Sequence, residues 1–151
     1  MANRSYDAQY EPRPGEDAGQ EELRYQRFLR ALRAAGLGNA DRAEACAVAV
    51  LCTLEQRLTG PEARDLNFEL PWALRDLLRR CELHPRARPE KIGRAEYLAR
   101  VAEQLEVDEV QAEAIARTVL ATARSFVSEK EAADVASQLP PDLETLWAPP
   151  A

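Results

Sequence analysis

Histidine is scarce in this 151-residue chain, and one residue is too few for most catalytic arrangements that depend on an imidazole. The one histidine, His84, precedes a proline in a proline-rich segment, so we expect a solvated residue of a connector. A His-Cys or Ser-His-Asp arrangement would need that connector to reach into a site. Zinc would need three or four ligands at suitable spacing, which this chain does not offer. We therefore expect no metal, no cofactor and no catalytic residues.

Cysteine is also scarce, and the three cysteines form no CxxC pair. Cys46 and Cys52 lie six residues apart in one predicted helix, so their side chains point to different sides. Together with Cys81 they are expected to be reduced thiols, as in proteins of the cytoplasm. The glycines at Gly36 and Gly38 lack the preceding strand and the third glycine of a phosphate-binding loop, and we expect a helix end there instead.

Long apolar runs are missing as well. No 18 consecutive apolar residues occur, and the first twenty residues have no apolar core, so we expect neither a membrane span nor a signal peptide. Aromatic residues make up 6% of the chain, while alanine, leucine, glutamate and arginine are abundant, which favours helix. The net charge of −6 argues against general nucleic-acid binding. Residues 1–20, 21–93 and 94–151 carry −2, +2 and −6.

One helical pattern occurs twice, at a constant offset of 69 residues. "EARDLNFELPWALRDLL" begins at Glu62 and "EAADVASQLPPDLETLW" begins at Glu131. Without a gap, 15 of 54 aligned positions are identical, which two unrelated helical segments would not share together with the same caps and breaks. Thr59 and Ser128 precede the two glutamates at the S/T-x-x-E spacing of a capping box. A Leu-Pro pair then ends the third helix of each copy, because proline disfavours helical geometry at the residue before it.

The repeat predicts an all-α fold. Two tandem four-helix repeats are expected to pack through a common apolar face into one compact helical bundle, related by a pseudo-twofold or by translation. The predicted organisation is a disordered tail at residues 1–20, repeat 1 at 21–81, a linker at 82–93, repeat 2 at 94–147 and a C-terminal tail at 148–151.

The repeated motifs resemble the bacterial family called domain of unknown function 2267. Its F-L-x-x-V motif corresponds to "YLARV" from Tyr97, and its V-L-x-x-L motif corresponds to "AVLCTL" from Ala49. Its E-A-x-D-L and L-P-x-x-L motifs correspond to "EARDL" and "LPWAL" in repeat 1 and to "EAADV" and "LPPDL" in repeat 2. The resemblance covers nearly everything from Leu23 to Trp147. It implies an all-helical protein of the bacterial cytoplasm and brings no established activity or catalytic residues.

A basic stripe on the first helix is the clearest candidate for a binding surface. Four arginines recur every three residues, so they drift around the helix. They are either solvated and paired with local acids, or a docking site for an acidic partner or for the acidic half of another copy. Two tryptophans near the fourth helices serve either packing between the repeats or partner binding. The candidate partner-binding residues are Arg24, Arg27, Arg30, Arg33, Trp72 and Trp147.

These features predict a non-catalytic protein-interaction module, an adaptor or assembly factor of the bacterial cytoplasm. Its partner is an acidic protein or a second copy, with no nucleic acid and no membrane. The first alternative is a small-molecule or lipid binding module, with a cavity between the repeats lined by alanines of the second helix. The second is an enzyme, which would need His84, Asp65 or Asp134 drawn into one pocket. Asp65 and Asp134 also lie early in short helices, where the macrodipole favours acidic side chains.

Overall fold

Helices are the regular structure of the described residues. The computed structural model describes residues 18–81 and 89–149, with residues 80 and 81 described for their backbone alone. Eight helices lie in these ranges, four in each repeat, so the predicted all-α fold is confirmed. They are α1 (Ala18–Ala34), α2 (Ala40–Glu55), α3 (Gly60–Glu69), α4 (Trp72–Cys81), α5 (Arg94–Leu105), α6 (Glu109–Ser125), α7 (Glu129–Ser137) and α8 (Pro141–Trp147).

The tail and the linker differ from the predicted bounds where the structure describes them. Helix α1 begins at Ala18, so the last three residues assigned to the tail are helical. Residues 1–17, residues 82–88 with His84, and the last two residues lie outside the described ranges. The end of the linker packs on the protein: Ile92 is buried, and the Glu90 amide donates to the Gln56 carbonyl at 2.9 Å.

The helix ends follow local signals in the sequence. Asn39 caps α2 by accepting a backbone hydrogen bond at 2.8 Å. Asp108 and Gln111 form a complete capping box at the start of α6. Leu70 is extended, with φ −81° and ψ 160°, and separates α3 from α4 before its proline. The predicted Leu-Pro break is thereby confirmed, and all three helix ends depend on neighbours in the chain.

The two repeats are related by a pseudo-twofold and not by translation. Helix α2 packs against α6 and α3 packs against α7, which are equivalent helices of the two repeats. Helix α1 packs against α6 just as α5 packs against α2. Such reciprocal contacts are the mark of a twofold interface, whereas translation would give each repeat two different contact faces. The core between them is apolar and includes the fully buried Phe28, Leu51, Tyr97, Leu120 and Trp147.

Both predicted capping boxes at the α3–α7 contact are only half formed. Thr59 Oγ1 accepts from the Glu62 amide at 3.2 Å, and Ser128 Oγ accepts from the Glu131 amide at 3.1 Å. The second half of each box, a glutamate carboxylate returning to the amide of its own cap, is not present at either helix. That part of the prediction is wrong, because the opposite repeat supplies the acceptor.

Each cap amide is bonded by the last turn of the opposing helix. Gln138 Oε1 accepts from the Thr59 amide at 2.9 Å, and Glu69 Oε1 accepts from the Ser128 amide at 2.6 Å. Glu69 and Gln138 are 69 residues apart, so the same contact is made twice around the pseudo-twofold. The two repeats therefore complete each other's helix starts, and the side chains of Glu62 and Glu131 are left to meet each other.

Removing one of these crossed caps is expected to destabilise the protein. Gln138→Ala leaves the Thr59 amide unpaired, and we expect the free energy of unfolding to fall by about 1 kcal/mol. Glu69→Ala should cost more, about 2 kcal/mol, because its charged carboxylate binds both the amide and the hydroxyl of Ser128. Urea unfolding monitored by circular dichroism measures both values.

Gln26→Ala and Glu103→Ala, at exposed positions, are the matched controls for these two variants. Equal losses of stability in the controls would contradict the crossed caps.

Candidate functional site

Three carboxylates meet where α3 crosses α7, and we call them the carboxylate cluster: Glu62, Asp65 and Glu131. One oxygen of each lies within 4.8 Å of one oxygen of each of the others. Glu62 is 8% exposed and Glu131 is 4% exposed, while Asp65 is exposed at the rim. The cluster therefore reaches from the buried interface between the repeats to the solvent.

The buried oxygens of the two glutamates lack ordinary partners. Within the described part of the chain, no N–H or O–H group donates to Glu62 Oε2 or to Glu131 Oε2, and both atoms are shielded from solvent. Lys130, the residue before Glu131, pairs with Asp134 at 3.0 Å on the surface and also interacts electrostatically with Glu131 and Asp65. Two adjacent buried carboxylates are costly unless a positive charge or a proton stands between them.

At neutral pH, a proton on Glu131 can remove the repulsion between the two buried carboxylates. Burial raises the pKa of Glu131 to about 9, and the hydrogen bond with Glu62 and the negative charges of Glu62, Glu69 and Asp65 add to the rise. The protonated Glu131 carboxyl can donate this proton to the Glu62 carboxylate in a hydrogen bond. The arrangement can thus hold one proton or, with Asp65, offer oxygen ligands to a cation.

Asp134 does not join the cluster, although it is the sequence equivalent of Asp65. Its carboxylate pairs with Lys130, one turn earlier on α7. The same ammonium interacts electrostatically with Asp65, but only Asp65 is one of the three carboxylates that meet. The residues that do meet are the two glutamates of the predicted capping boxes. The duplicated E-A-x-D motif was the available signal, but it gives no distance between the copies.

The predicted docking residue Arg24 is an internal tie between the repeats. Its guanidinium donates to the Glu69 carbonyl and, at 2.8 Å, to the Phe126 carbonyl. It also lies 5.6 Å from the centre of the Phe126 ring and 3.7 Å from the Glu21 carboxylate. These contacts join the ends of α3 and α6 to α1. Because Arg24 makes these contacts within the protein, it does not belong to a free basic surface.

The other three arginines of the stripe face solvent. Arg27, Arg30 and Arg33 are exposed, and none makes an ion pair within 4 Å with any residue in the described ranges. Arg33 lies in the last turn of α1, where a positive charge is favoured by the helix macrodipole. The basic surface of α1 consists of these three residues.

The two tryptophans have different roles. Trp147 is 1% exposed, and its indole N–H donates to the Ala132 carbonyl at 2.9 Å, so it is a core residue that holds α8 on α7. A partner could reach it only if α8 left the bundle, which removes it from the candidate docking residues. Trp72 is half-buried, and the Arg75 guanidinium lies 5.8 Å from the centre of its ring.

A groove of about 450 Å³ opens between the repeats at the beginning of α2 and α6. Gly38, Arg42 and Cys46 line one side, and the residues 69 positions later line the other: Val107, Gln111 and Ile115. Its alanines are Ala35 and Ala114, from the end of the first helix and from α6, rather than a row along α2. The pseudo-twofold thus runs through this groove as well as through the α3–α7 contact.

The cysteines depart from the expectation of three reduced thiols. Cys52 is disulfide-bonded, whereas Cys46 is a free thiol buried beside the groove. Burial raises the pKa of Cys46, which keeps it protonated at neutral pH. The prediction of a reduced thiol is therefore wrong for Cys52, although Cys46 and Cys52, which lie in one helix, do not bond each other.

Comparison with known sequences places the chain in a family. In the described ranges, no helix is long and apolar enough to cross a membrane. A search of curated proteins gives no match. The sequence profile of DUF2267, a family described as uncharacterised conserved proteins, matches residues 25–146, which is most of the chain. The expected resemblance is thereby confirmed, and the protein belongs to the DUF2267 family.

Proposed function

We propose that this protein is a non-catalytic interaction module that docks an acidic protein partner on the exposed arginines of α1. The surface is Arg27, Arg30 and Arg33, without Arg24. Its charge suits recognition by electrostatic complementarity, which speeds association and selects the partner. An adaptor or assembly role in the bacterial cytoplasm is part of this proposal, and the resemblance to a bacterial family supports it.

The comparison of the two repeats carries the proposal. The positions of Arg27, Arg30 and Arg33 are occupied in repeat 2 by Glu96, Ala99 and Ala102. Helices α1 and α5 nevertheless make equivalent packing contacts, so the fold does not need arginine at these places. Because the fold does not require these three arginines, a partner that binds them is the best explanation for their presence. If they served only to keep the surface solvated, any polar residue would do.

A charge-matched experiment tests this surface. Arg27, Arg30 and Arg33→Gln removes the patch, while Arg57, Lys91 and Arg117→Gln removes the same charge elsewhere. Tagged wild-type protein and both variants are used to capture partners from native lysate, at low and at high salt, with quantitative mass spectrometry. We expect one acidic protein, captured by wild type and control, to fall at least about tenfold with the patch variant and at high salt. Equal capture by both variants would contradict the proposal.

Self-association is tested with the same three proteins. Repeat 2 carries −6, so it could receive the α1 arginines of a second copy. Sedimentation velocity at low salt measures whether wild type forms dimers that the patch variant does not form. Such dimers would mean that the arginine surface binds a second copy of this protein rather than a different acidic protein.

A small-molecule or lipid module is the second candidate, favoured by the groove between the repeats. Its volume of about 450 Å³ lies within the usual size of ligand pockets, and Leu37, Val107 and Ile115 give it apolar walls. Native mass spectrometry of the purified protein distinguishes it. A bound apolar compound that Ala114→Trp abolishes would favour the groove over the arginine surface.

The cytoplasmic assignment has its own test, because disulfides rarely persist in a reducing compartment. Cys52 is bonded in this structure. Thiol labelling of protein quenched directly from cells measures whether it is reduced there. Full labelling of Cys52 agrees with the cytoplasm, and protection of Cys52 would contradict it.

A further inference from the structure

We propose that the carboxylate cluster of Glu62, Asp65 and Glu131 binds one hard divalent cation, with Ca²⁺ as the ion that fits best. Two ligands come from α3 and one comes from α7, so the ion would join the two repeats. This inference does not depend on the arginine surface, which lies on α1.

The spacing of the oxygens supports an ion of this size. The ligand oxygens around one cation can be separated by at most twice the metal–oxygen distance, which is about 4.2 Å for Mg²⁺ and about 4.6–5.2 Å for Ca²⁺. The three oxygens already lie within 4.8 Å of one another. An ion equidistant from three oxygens at that limit would lie about 2.8 Å from each, so the side chains need to draw in only a little for Ca²⁺ at 2.3–2.6 Å and further for Mg²⁺ at 2.0–2.1 Å.

The burial of the glutamates is the second, independent reason. Both side chains are more than nine-tenths buried, and Oε2 of each receives no hydrogen bond from any described residue outside the Glu62–Glu131 pair itself. A structural helix cap would explain a glutamate that returns to its own cap amide, yet those amides are bonded by Gln138 and Glu69. The crossed caps thus fix both helix starts and leave the two carboxylates pointing at each other.

The chemistry of the donor set restricts the ion. All three ligands are carboxylates, and oxygen ligands without nitrogen or sulfur suit Ca²⁺, Mg²⁺ and Mn²⁺ rather than Zn²⁺ or copper. Asp65 lies at the exposed rim, so water can complete the coordination from that side. Glu69 adds negative charge beside Glu131, and Lys130, which pairs with Asp134 at 3.0 Å, is a positive charge that interacts with Glu131 and Asp65.

Thermal unfolding and calorimetry of the full chain test the site. Protein freed of metal with a chelator is titrated with Ca²⁺ and, in separate arms, with Mg²⁺ and Mn²⁺. We expect one Ca²⁺ per chain and a rise in Tm of about 5 °C or more at a hundredfold excess over Kd. Glu62→Gln and Glu131→Gln should abolish the rise, and Asp65→Asn should weaken binding about tenfold.

Two controls keep the result specific. Glu129→Gln, at an exposed position of α7, removes the same charge outside the cluster and should respond to Ca²⁺ as wild type does. Far-UV circular dichroism checks that each variant is folded. The proposal is overturned if Tm stays within about 1 °C up to about 10 mM of each ion, well above the weakest protein calcium sites. It is overturned equally if Glu62→Gln and Glu131→Gln respond as wild type does.

Discussion

Replacing Trp147 with alanine is expected to lower the free energy of unfolding by about 3–5 kcal/mol, the largest effect of any single change considered. The indole is 1% exposed and fills the space between α8 and α7. Its truncation leaves a cavity and also removes the hydrogen bond to the Ala132 carbonyl at 2.9 Å. Urea unfolding monitored at 222 nm measures the loss, since the signal does not depend on tryptophan fluorescence.

The controls separate the ring from its hydrogen bond. Trp147→Phe keeps an aromatic ring but has no donor, and it should lose about 1–2 kcal/mol. Val110→Ala, at a position that is 82% exposed, should change stability by less than about 0.5 kcal/mol. A loss below about 1 kcal/mol for Trp147→Ala would mean that α8 is not a docked part of the bundle. The tryptophan could then be available to a partner after all.

The second large effect is a pH dependence that Glu131→Gln removes. The pKa of Glu131 is raised in the folded protein to about 9, from an ordinary value near 4.5. Between these values the folded state holds a proton that the unfolded state has lost, so stability falls as the pH rises. The slope for one proton is at most about 1.4 kcal/mol per pH unit. We expect wild type to lose a few kcal/mol between pH 5 and pH 9.

Glutamine does not titrate, and its amide can donate to the Glu62 carboxylate. Glu131→Gln should therefore match wild type near pH 5 and exceed its free energy of unfolding by about 2 kcal/mol at pH 8–9. Urea unfolding at several pH values, with a chelator present to exclude cations, measures the difference. Glu103→Gln, an exposed change of the same kind, should follow wild type throughout. Parallel curves for wild type and Glu131→Gln would show that the pair shares no proton.

The fold was predictable where it depends on neighbours in the chain. The cap at Asn39, the box at Asp108 and the Leu-Pro corner at Leu70 each involve residues within four positions of one another. The apolar periodicity predicted which faces of the helices are buried, and the constant offset predicted two equivalent repeats. These features need no knowledge of how the repeats are arranged in space.

The carboxylate cluster was not predictable because it depends on the symmetry operation. A translation and a twofold give the same 69-residue offset, yet only the twofold brings Glu62 to Glu131. The capping-box spacing also had a satisfactory local explanation, which the crossed caps from Glu69 and Gln138 replaced. Arg24 shows the same limit: its carbonyl partners lie 45 and 102 positions away, so periodicity could not distinguish it from the exposed arginines of its helix.

The pseudo-twofold between the repeats also has a consequence for how such a protein can arise and assemble. Every reciprocal contact, including the α3–α7 crossing, could equally be made by two separate copies of one repeat around a true twofold axis. The bundle is therefore equivalent to a homodimer whose two subunits have been fused into one chain. Fusion makes the association intramolecular, so stability no longer depends on protein concentration. It also frees the two halves to diverge, as α1 did with its arginines and α5 did with its alanines.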